Sequence, residues 1–482
     1  MCRLLIVTIM LLPLISCGCG KSGMTKEYSP ERIHINTLFL DMQVGDVETL
    51  KAQPVPPVAH QPVFRWETSD PSVVTVADGI VTAVSEGSAT VSASVGSVRT
   101  DVAVRVSAPY CPGGSVLYNL KPDSFHQVAE LQLGEAGIYT DEGLNLIGKG
   151  SLAKLDKFYA LGERMIRYRI RPSSDAIALF QSSLGDFSAY VDVPEKKIRI
   201  GTAPVTEGEV PFLKGDRDYD VEIYHIYNVA KVRIIDVGSK ETAEISATMD
   251  GTGGCGKGAL QEGFYVGMQW DHYCFGLHSG SSVLLKRMTV FSLKDKVKLL
   301  LYGDSITQPE GYFPTKDFPE AWTQRIIARL GGNAMSSGRG GGTIHTCLEY
   351  IKNELPSIKA EYVMVTVGTN GGNTEENLTE IVEYIKEQGS IPILNNIPCN
   401  ESGTQIANNE LIERVRRKTG VNGCRFDIAT SLAGDGQEVD KSLMYWEDYT
   451  GSYGWQIYHH PNEKGGKKMF DRTLLDAPEI YE

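Results

Sequence analysis

Short runs of apolar and β-branched residues separated by turn residues fill the region from 31 to 108. Residues 73–76, 80–84 and 89–93 each predict a strand, and Asp78-Gly79 predicts a turn between the first two. Strands of about four to six residues, with turn signals every 8 to 12 or so, are typical of an antiparallel sandwich. We therefore predict a first β domain over residues 31–108.

The next region, residues 109–297, shows apolar residues at every second position in several long segments. Residues 165–171 and 219–226 alternate in this way, and 283–291 predict a last strand before the pattern changes. Period-2 alternation predicts strands with one buried and one wet face. Because helical periodicity is nearly missing from the region, we predict a larger β-sandwich of the jelly-roll kind.

From residue 298 to 482, apolar runs alternate with amphipathic segments. The predicted buried strands are 298–302, 361–367, 391–395 and 424–428, and the predicted helices are 319–330, 343–355, 374–388, 405–419 and 462–475. Alternation of strand and helix predicts an α/β fold with a parallel sheet and helices on both of its faces. Ligands in such folds bind beyond the carboxyl ends of the strands.

The composition limits the function classes. At about 150 residues per domain, a chain of 482 residues has room for about three domains. The formal net charge of −13 has the wrong sign for holding a phosphate backbone, so we expect no nucleic-acid partner. The sequence contains neither a CxxC pair nor an HExxH segment, which leaves zinc chemistry without a sequence basis.

The N-terminal residues have the features of an export signal. Arg3 precedes an apolar stretch, residues 4–14, that is shorter than the roughly 20 residues a membrane-spanning helix needs. The end of this stretch, Leu14-Ile15-Ser16-Cys17, resembles the lipobox of bacterial lipoproteins. The resemblance implies a signal peptide over 1–16, lipidation of Cys17 and a tether over 17–30. The protein would then be an exported lipoprotein of the cell envelope, at the outer membrane or cell surface, with the lipid as its only membrane attachment.

Two β regions resemble known modules. The segment from Trp66 through Gly79 to Ala89 resembles the bacterial immunoglobulin-like group 2 domain, and Trp66 is expected in its core. The middle region resembles concanavalin-like carbohydrate-binding sandwiches. Its aromatic and imidazole side chains at 270, 272, 273, 275 and 278 could stack on sugar rings, but alternation into core and rim is the favoured interpretation. In an exported protein a disulfide such as Cys399–Cys424 is an open alternative to free thiols.

The candidate chemistry lies in the third region, at the ends of its predicted strands. Four blocks stand out, namely Gly303-Asp304-Ser305, Gly340-Gly341-Gly342-Thr343, Gly368-Thr369-Asn370 and His460-Pro461. In order and spacing they resemble the four blocks of the SGNH (GDSL-like) hydrolase family. The resemblance covers about 185 residues, 298–482, and implies a three-layer, flavodoxin-like α/β fold.

The resemblance also implies a role for each block. Ser305 would be the nucleophile and His460 the general base, with an oxyanion hole made of the Ser305 N–H, the Gly341 N–H and the Asn370 side-chain amide. The chemistry agrees with these residue types. A serine hydroxyl is a weak nucleophile without an adjacent base, and histidine, with an ordinary pKa of about 6.5, suits that task. Such a mechanism needs neither a metal nor a cofactor.

One block departs from the family pattern. The family's acid lies three residues before its histidine, where this chain has Ile457. Three explanations stay open: a backbone carbonyl orients His460, an acid such as Asp448 or Glu447 reaches in from the preceding loop, or the site is impaired. A Ser–His dyad is the favoured interpretation, because loss of the acid lowers the rate of such enzymes without abolishing it.

We therefore predict a serine esterase that removes an acyl group, expected to be acetyl, from a carbohydrate through an acyl-enzyme on Ser305. The ester follows from the mechanism, and the sugar follows from the neighbouring sandwich and the export signal by analogy. Two alternatives stay open. One is a lipase or thioesterase acting on longer acyl chains, and the other is a glycan-binding surface protein whose hydrolase site is impaired.

Overall fold

The computed structural model describes residues 30–58, 62–108, 110–123, 131–134, 136–182, 187–201, 205–248, 257–258, 272–308, 318–448, 450 and 454–482. Cys17, the predicted signal peptide and Trp270 lie outside these ranges. The chain divides into two compact units, one ending at Tyr110 and the other beginning at Cys111. None of the helices in the described ranges has the length and apolar run that crossing a bilayer requires.

The first unit is a set of short strands with an apolar core. The strands are β1 (Arg32–Ile35), β2 (Phe39–Gln43), β3 (Val47–Thr49), β4 (Ala52–Val55), β5 (Arg65–Thr68), β6 (Val74–Ala77), β7 (Ile80–Ala83), β8 (Gly87–Val95) and β9 (Val98–Ser107). They form sheets in the orders β2-β9-β8-β5, β3-β7-β6 and β1-β4. Valines at alternate positions, such as Val102 and Val104, fill the core, and Trp66 packs against it as expected. The expectation of purely antiparallel pairing is wrong for β2 and β9, which are parallel and far apart in sequence.

The second unit begins with a sandwich of two antiparallel sheets. The strands in this part of the chain are β10 (Ser115–Leu120), β11 (Leu131–Leu133), β12 (Gly137–Thr140), β13 (Gly143–Ile147), β14 (Ser151–Leu155), β15 (Glu163–Pro172), β16 (Ile177–Ser182), β17 (Ser188–Asp192), β18 (Lys197–Ile200), β19 (Thr206–Glu209), β20 (Tyr219–Ile226), β21 (Val229–Asp236), β22 (Thr242–Thr248), β23 (Lys257–Gly258), β24 (Tyr273–Ser279) and β25 (Ser282–Ser292). All of them except β23 belong to the sandwich. One sheet has the order β12-β13-β25-β15-β20-β21-β22, with β10 also paired to β25, and the other has the order β11-β14-β24-β16-β17-β18-β19. The predicted alternation is confirmed in β15, where Ile166, Tyr168 and Ile170 are buried and the arginines between them are only half-buried. It is wrong for residues 219–226, because both faces of β20 are buried and Asp220 on its polar face is paired with arginines of β15.

The remainder of this unit is an α/β region. Its strands are β26 (Lys296–Gly303), β27 (Ala334–Gly338), β28 (Lys359–Thr366), β29 (Ile391–Leu394), β30 (Met444–Asp448) and β31 (Gln456–Pro461), and its helices are α1 (Trp322–Arg329), α2 (Ile344–Glu354), α3 (Glu375–Glu387), α4 (Gln405–Thr419), α5 (Phe426–Thr430) and α6 (Glu463–Asp476). A parallel sheet has the order β27-β26-β28-β29, and β23, β30 and β31 form a separate antiparallel one.

Helices cover both faces of the parallel sheet. Leu299 and Leu301 of β26 pack in one cluster with residues of α1, α5 and α6. Leu300 and Tyr302, which alternate with them, pack in another cluster with residues of α2, α3 and α4. Because successive strand residues point to opposite faces, the continuous apolar run of β26 requires a helical layer on each side. The predicted three-layer arrangement of helix, sheet and helix is confirmed.

Four elements of the α/β region differ from the sequence prediction, namely α5 and the unpredicted strands β27, β30 and β31. Residues 424–428 were expected as a strand, but α5 occupies Phe426–Thr430, where the Phe426 ring packs against Trp322 at 5.0 Å between centroids. Tertiary packing of the Phe426 side chain overrides the local β preference of this short apolar run. The strand β27 was not predicted because its sequence, Ala-Met-Ser-Ser-Gly, contains no apolar run.

The cysteines are not paired within the described residues. Cys399 and Cys424 are both buried free thiols, so the suggested disulfide between them is wrong. The Cys399 thiol donates a hydrogen bond to the Asp427 carbonyl over 3.3 Å.

Candidate active site

A tight turn at the end of β26 carries the predicted nucleophile. The backbone here requires glycine, since a Cβ on Gly303 would lie 2.0 Å from Thr307 Oγ1 and 2.3 Å from the Thr366 carbonyl oxygen. The N–H groups of Thr307 and Gln308 both donate to the Asp304 carbonyl over 3.1 Å and so close the turn. Ser305 is 5% exposed at the end of the strand, the place where parallel sheets bind their ligands.

Asp304 stabilises the turn from within and contacts the third block. Its carboxylate accepts the Ile306 N–H over 3.0 Å. Burial raises the pKa of Asp304 to about 6, and hydrogen bonds from Ile306 and Thr369 oppose the increase. The first and third sequence blocks therefore meet at this carboxylate, as expected for turns at one edge of a parallel sheet.

The structure brings His460 to Ser305. The two atoms His460 Nε2 and Ser305 Oγ lie 2.8 Å apart, although the residues are 155 positions apart in sequence. His460 is near the end of β31, and the next helix, α6, begins with Asn462 as its N-cap, whose Oδ1 accepts the N–H groups of Lys464 and Gly465. The cap and Pro461 set where the strand ends and the helix begins, so the imidazole position is well determined.

A bulge between β30 and β31 aims the imidazole. Pairing runs from Trp446–Tyr458 to Met444–Pro461, so residues 459 and 460 lie opposite the single residue 445. An extra residue in one strand reverses which face the following side chains take. With the bulge, His460 lies on the same face of the hairpin as Glu447, which regular alternation would have given to residue 459 instead.

The acid that reaches His460 is Glu447. Its Oε1 lies 2.5 Å from His460 Nδ1, and the Glu447 side chain is fully buried. The hypothesis that Asp448 supplies the acid is wrong, because neighbouring strand residues point to opposite faces. Asp448 instead accepts the Thr450 N–H over 2.9 Å. The favoured Ser–His dyad is also wrong, because the Glu447 carboxylate reaches the imidazole.

The position of Glu447 explains the departure at Ile457. Glu447 and Ile457 are directly paired across β30 and β31. Directly opposed residues of an antiparallel pair share a face and lie about 4.5 to 5.5 Å apart at Cβ. The Glu447 carboxylate on β30 therefore lies on the same face of the hairpin that an acid at position 457 of β31 would occupy.

These contacts fix the protonation of the imidazole. A carboxylate can only accept, so Nδ1 carries the hydrogen that is donated to Glu447, and Nε2 is left to accept the Ser305 hydroxyl. Burial lowers the pKa of His460, which favours the neutral imidazole at neutral pH. A neutral imidazole oriented in this way can accept a proton from the serine.

The glycine-rich block packs directly against the nucleophile turn. A Cβ on Gly338 would lie 2.7 Å from the Gln308 N and 2.9 Å from the Asp304 carbonyl oxygen, so only glycine allows this approach. The Arg339 N–H donates to the Gly303 carbonyl over 3.2 Å, and the Gly340 N–H donates to Gln308 Oε1 over 2.6 Å. These two hydrogen bonds hold the glycine-rich block at a fixed distance from the turn that carries Ser305.

Besides the Ser305 N–H, the other two predicted oxyanion donors, Gly341 and Asn370, lie in adjoining loops. Gly341 has φ of +70°, a left-handed conformation that favours glycine. The Asn370 side-chain amide reaches the same loop and donates to the Gly342 carbonyl over 3.1 Å. The second and third blocks are thus in contact at the edge of the sheet that carries Ser305.

Two of the candidate aromatic rings of the middle region lie in its core. Tyr273 and Phe275 are buried in the sandwich core, which confirms the interpretation against a sugar platform for these two rings. In the third region, the guanidinium of Arg339 lies over the Phe158 ring, 4.8 Å from its centroid. Within the described ranges, no three His, Cys, Asp or Glu side chains are grouped so as to hold a metal ion.

Sequence reasoning missed several residues that shape this site. Gln308 holds the glycine loop, and Tyr350 donates its hydroxyl to the Gly303 carbonyl. Glu447 was one of two acids considered without a means to choose between them. The burial along β30 separates them, since Glu447 is buried between the exposed Trp446 and the half-buried Asp448, and the sequence of this strand does not show it.

Comparison with protein families places the first unit. The model described as Big-like, a bacterial Ig-like domain, matches residues 66–108. This agrees with the immunoglobulin-like fold expected for the N-terminal domain. A comparison with curated protein sequences gave no match.

Solved structures resemble parts of the chain. A GDSL-like lipase from Bacteroides thetaiotaomicron is 13% identical, with 38% of this chain and 88% of that chain covered and a TM-score of 0.30. An alpha/beta hydrolase enzyme from the metagenome of Lake Arreo, Spain, is 19% identical, with 39% and 96% covered and a TM-score of 0.30. Arcelin-5, a lectin-like defence protein from Phaseolus vulgaris, is 12% identical, with 36% and 96% covered and a TM-score of 0.26. At these identities and TM-scores the likeness does not indicate what this chain binds or acts on.

Proposed function

We propose that the protein is a serine ester hydrolase whose catalytic residues are Ser305, His460 and Glu447. The observation that carries the proposal is the continuous chain of contacts from Ser305 Oγ to His460 Nε2, 2.8 Å, and from His460 Nδ1 to Glu447 Oε1, 2.5 Å. A nucleophile, a base and a group that orients the base, within hydrogen-bond reach of each other, define an activated serine.

The mechanism follows from these atoms. Ser305 Oγ attacks the ester carbonyl carbon while its proton passes to His460 Nε2, and Glu447 stabilises the imidazolium that forms. The proton is then given to the leaving alkoxide, which departs as an alcohol and leaves an acyl group on Ser305. Water, deprotonated by the same nitrogen, attacks this ester, and the acid is released as the proton returns to Ser305.

The tetrahedral intermediates carry a negative oxygen that needs donors. We assign this role to the Ser305 N–H, the Gly341 N–H and the Asn370 side-chain amide. The contact of Asn370 with the glycine loop, which packs on the nucleophile turn, supports the assignment. For the oxyanion to be bound, the Asn370 amide must exchange its bond to the Gly342 carbonyl for one to the substrate. Each such donor is worth about 10² to 10³ in rate.

For the substrate we propose an acylated carbohydrate, with acetyl as the acyl group, at the cell envelope. The export signal read from residues 1–17 and the sandwich adjoining the site support this class. The complete set of Ser305, His460 and Glu447 argues against an impaired glycan-binding protein. A lipase or thioesterase on longer chains is the competing activity.

Two assays test the proposal on the purified protein. A fluorophosphonate probe should label Ser305 stoichiometrically, with the labelled peptide identified by mass spectrometry. Among p-nitrophenyl esters, acetate should have a higher kcat/KM than octanoate. Failure of both labelling and hydrolysis would contradict an active serine hydrolase. Preference for octanoate would instead favour the lipase alternative.

The pH dependence gives a further prediction. Only the neutral His460 can accept the Ser305 proton, so activity is lost as pH falls through the pKa of His460. Burial lowers that pKa, and the acid limb of kcat/KM should therefore lie below the ordinary histidine value of about 6.5. Rates on p-nitrophenyl acetate should be constant from pH 7 to 8 after correction for spontaneous hydrolysis. A limb centred above pH 7 would contradict the neutral, buried imidazole.

A further inference from the structure

The fully buried Glu354, at the end of α2, joins two distant parts of the second unit. Its Oε1 accepts the N–H of Ala160 over 2.5 Å. Its Oε2 accepts the hydroxyl of Ser337 over 2.7 Å. Both carboxylate oxygens are thus engaged, one with the middle β region and the other with the strand that leads into the glycine loop.

The segment before β15 runs alongside β27 at this point. Leu161 forms an antiparallel bridge with Ser337, and the Gly162 N–H donates to the Ser336 carbonyl over 2.8 Å. The Asn353 side chain, next to Glu354 on α2, donates to the Phe158 carbonyl over 3.0 Å. The middle β region is therefore hydrogen-bonded to the parallel sheet through backbone and side chains together.

Ser337 lies near the end of β27, the strand that leads into the glycine-rich block 340–343. The next residue, Gly338, leaves no room for a Cβ against the backbone of Asp304 and Gln308, so a small displacement of β27 is passed to the nucleophile turn. The same helix holds the other side of this contact, because Tyr350 of α2 donates to the Gly303 carbonyl. Tyr350 and Glu354 thus fix the ends of two adjacent strands from one helix.

Glu354 is a buried acid whose hydrogen-bond donors partly offset the cost of its burial. Burial raises its pKa to about 7, and the Ser337 hydroxyl, the Ala160 N–H and the positive charge of Arg164 oppose the increase. The other titratable groups around it are Tyr273, Tyr302, Cys347 and Tyr350. A buried acid is costly unless its bonds are satisfied, and this one is held by donors from two regions.

We propose that Glu354 is a positioning residue for the ester-hydrolysing site, and that through it the middle β-sandwich is a working part of that site. The carboxylate sets the distance between the Ala160 segment and Ser337, and with it the place of the glycine loop that carries the Gly341 N–H. The inference rests on the proposed esterase function. A displaced donor weakens binding of the transition state more than binding of the substrate.

The test compares four variants of the full chain on p-nitrophenyl acetate. Ser337→Ala removes only the bond to β27, and Glu354→Ala removes both bonds. Glu354→Gln keeps both, since its amide oxygen accepts the Ala160 N–H and its amide nitrogen donates to Ser337. Ser336→Ala, a buried serine on the neighbouring position of β27, is the matched control.

We expect kcat to fall about 10- to 100-fold in Ser337→Ala and Glu354→Ala, with KM within about threefold of wild type, because misplacement by about 1 Å can cost 10²-fold. Glu354→Gln and Ser336→Ala should stay within about threefold of the wild-type kcat, and the double variant Glu354→Ala/Ser337→Ala should lose no more than Glu354→Ala alone. All rates are measured well below each variant's Tm. Should Glu354→Ala not fold, Ser337→Ala and Glu354→Gln still decide the matter.

The outcomes separate this inference from the proposed function. An unaltered kcat in Ser337→Ala, or equal losses in Glu354→Gln and Glu354→Ala, would overturn the positioning role while leaving an active esterase. A wild-type protein that neither hydrolyses esters nor reacts with the fluorophosphonate would overturn the proposed function first.

Discussion

Replacing Ser305 by alanine is expected to lower kcat/KM for p-nitrophenyl acetate by a factor on the order of 10⁴ or more. The reason is that the substitution removes the only atom that accepts the acyl group, while the imidazole and the proposed oxyanion donors stay in place. The residual rate would come from those donors and from substrate binding alone. Steady-state kinetics and loss of fluorophosphonate labelling measure the effect together.

Folding should survive this substitution. Ser305 is buried, and alanine removes a single oxygen whose hydrogen bond goes to His460. We expect the Tm to stay within a few degrees of wild type. Ser402→Ala, which alters an exposed serine in the same region, should keep full activity and labelling. More than a tenth of wild-type activity in Ser305→Ala would mean that another residue is the nucleophile.

The sequence could predict where the chemistry gathers. Ser305 and Asn370 each follow a predicted strand, and the carboxyl ends of parallel strands meet at one edge of the sheet. Hydrophobic pattern predicted the strand under Ser305 because β26 is apolar on both faces. His460 could be placed through its block, because Pro461 and Asn462 mark the start of a helix.

The sequence could not predict the acid. Glu447 comes close to His460 only because β30 pairs with β31. The bulge opposite residue 445 then decides which face of the hairpin His460 takes. Neither the register nor the bulge leaves a local pattern, so two adjacent acids were indistinguishable before the strand was seen.

The sequence could not predict the contacts between the middle β region and the α/β region either. Ala160 and Glu354 are 194 residues apart, and nothing near either position marks them as partners. The apolar cluster that fills the sandwich continues into the layer of α2, α3 and α4. Residues 109–297 and 298–482, which the sequence pattern predicts as two domains, thus form one compact unit from Cys111 onward.

The acid supplies the second large prediction. Glu447→Gln is expected to lower kcat on p-nitrophenyl acetate by about 10² to 10⁴. A glutamine amide can donate a hydrogen bond to His460 Nδ1, and the imidazole hydrogen then moves to Nε2. A protonated Nε2 can no longer accept the Ser305 proton. The imidazolium formed during attack also loses its negative partner. Because this proton is transferred in the chemical steps, the loss should appear in kcat.

Two further variants test that it is the face of the hairpin that matters. Asp448→Asn alters the neighbouring acid, which faces away from His460, and should keep kcat within about threefold of wild type, the scatter expected of a surface change without a special role. Adding Ile457→Asp to Glu447→Ala should recover part of the lost kcat, because residue 457 is paired with 447 and shares its face. Equal losses in Asp448→Asn and Glu447→Gln would contradict the assignment, since alternation along β30 allows only one of the two acids to reach the imidazole.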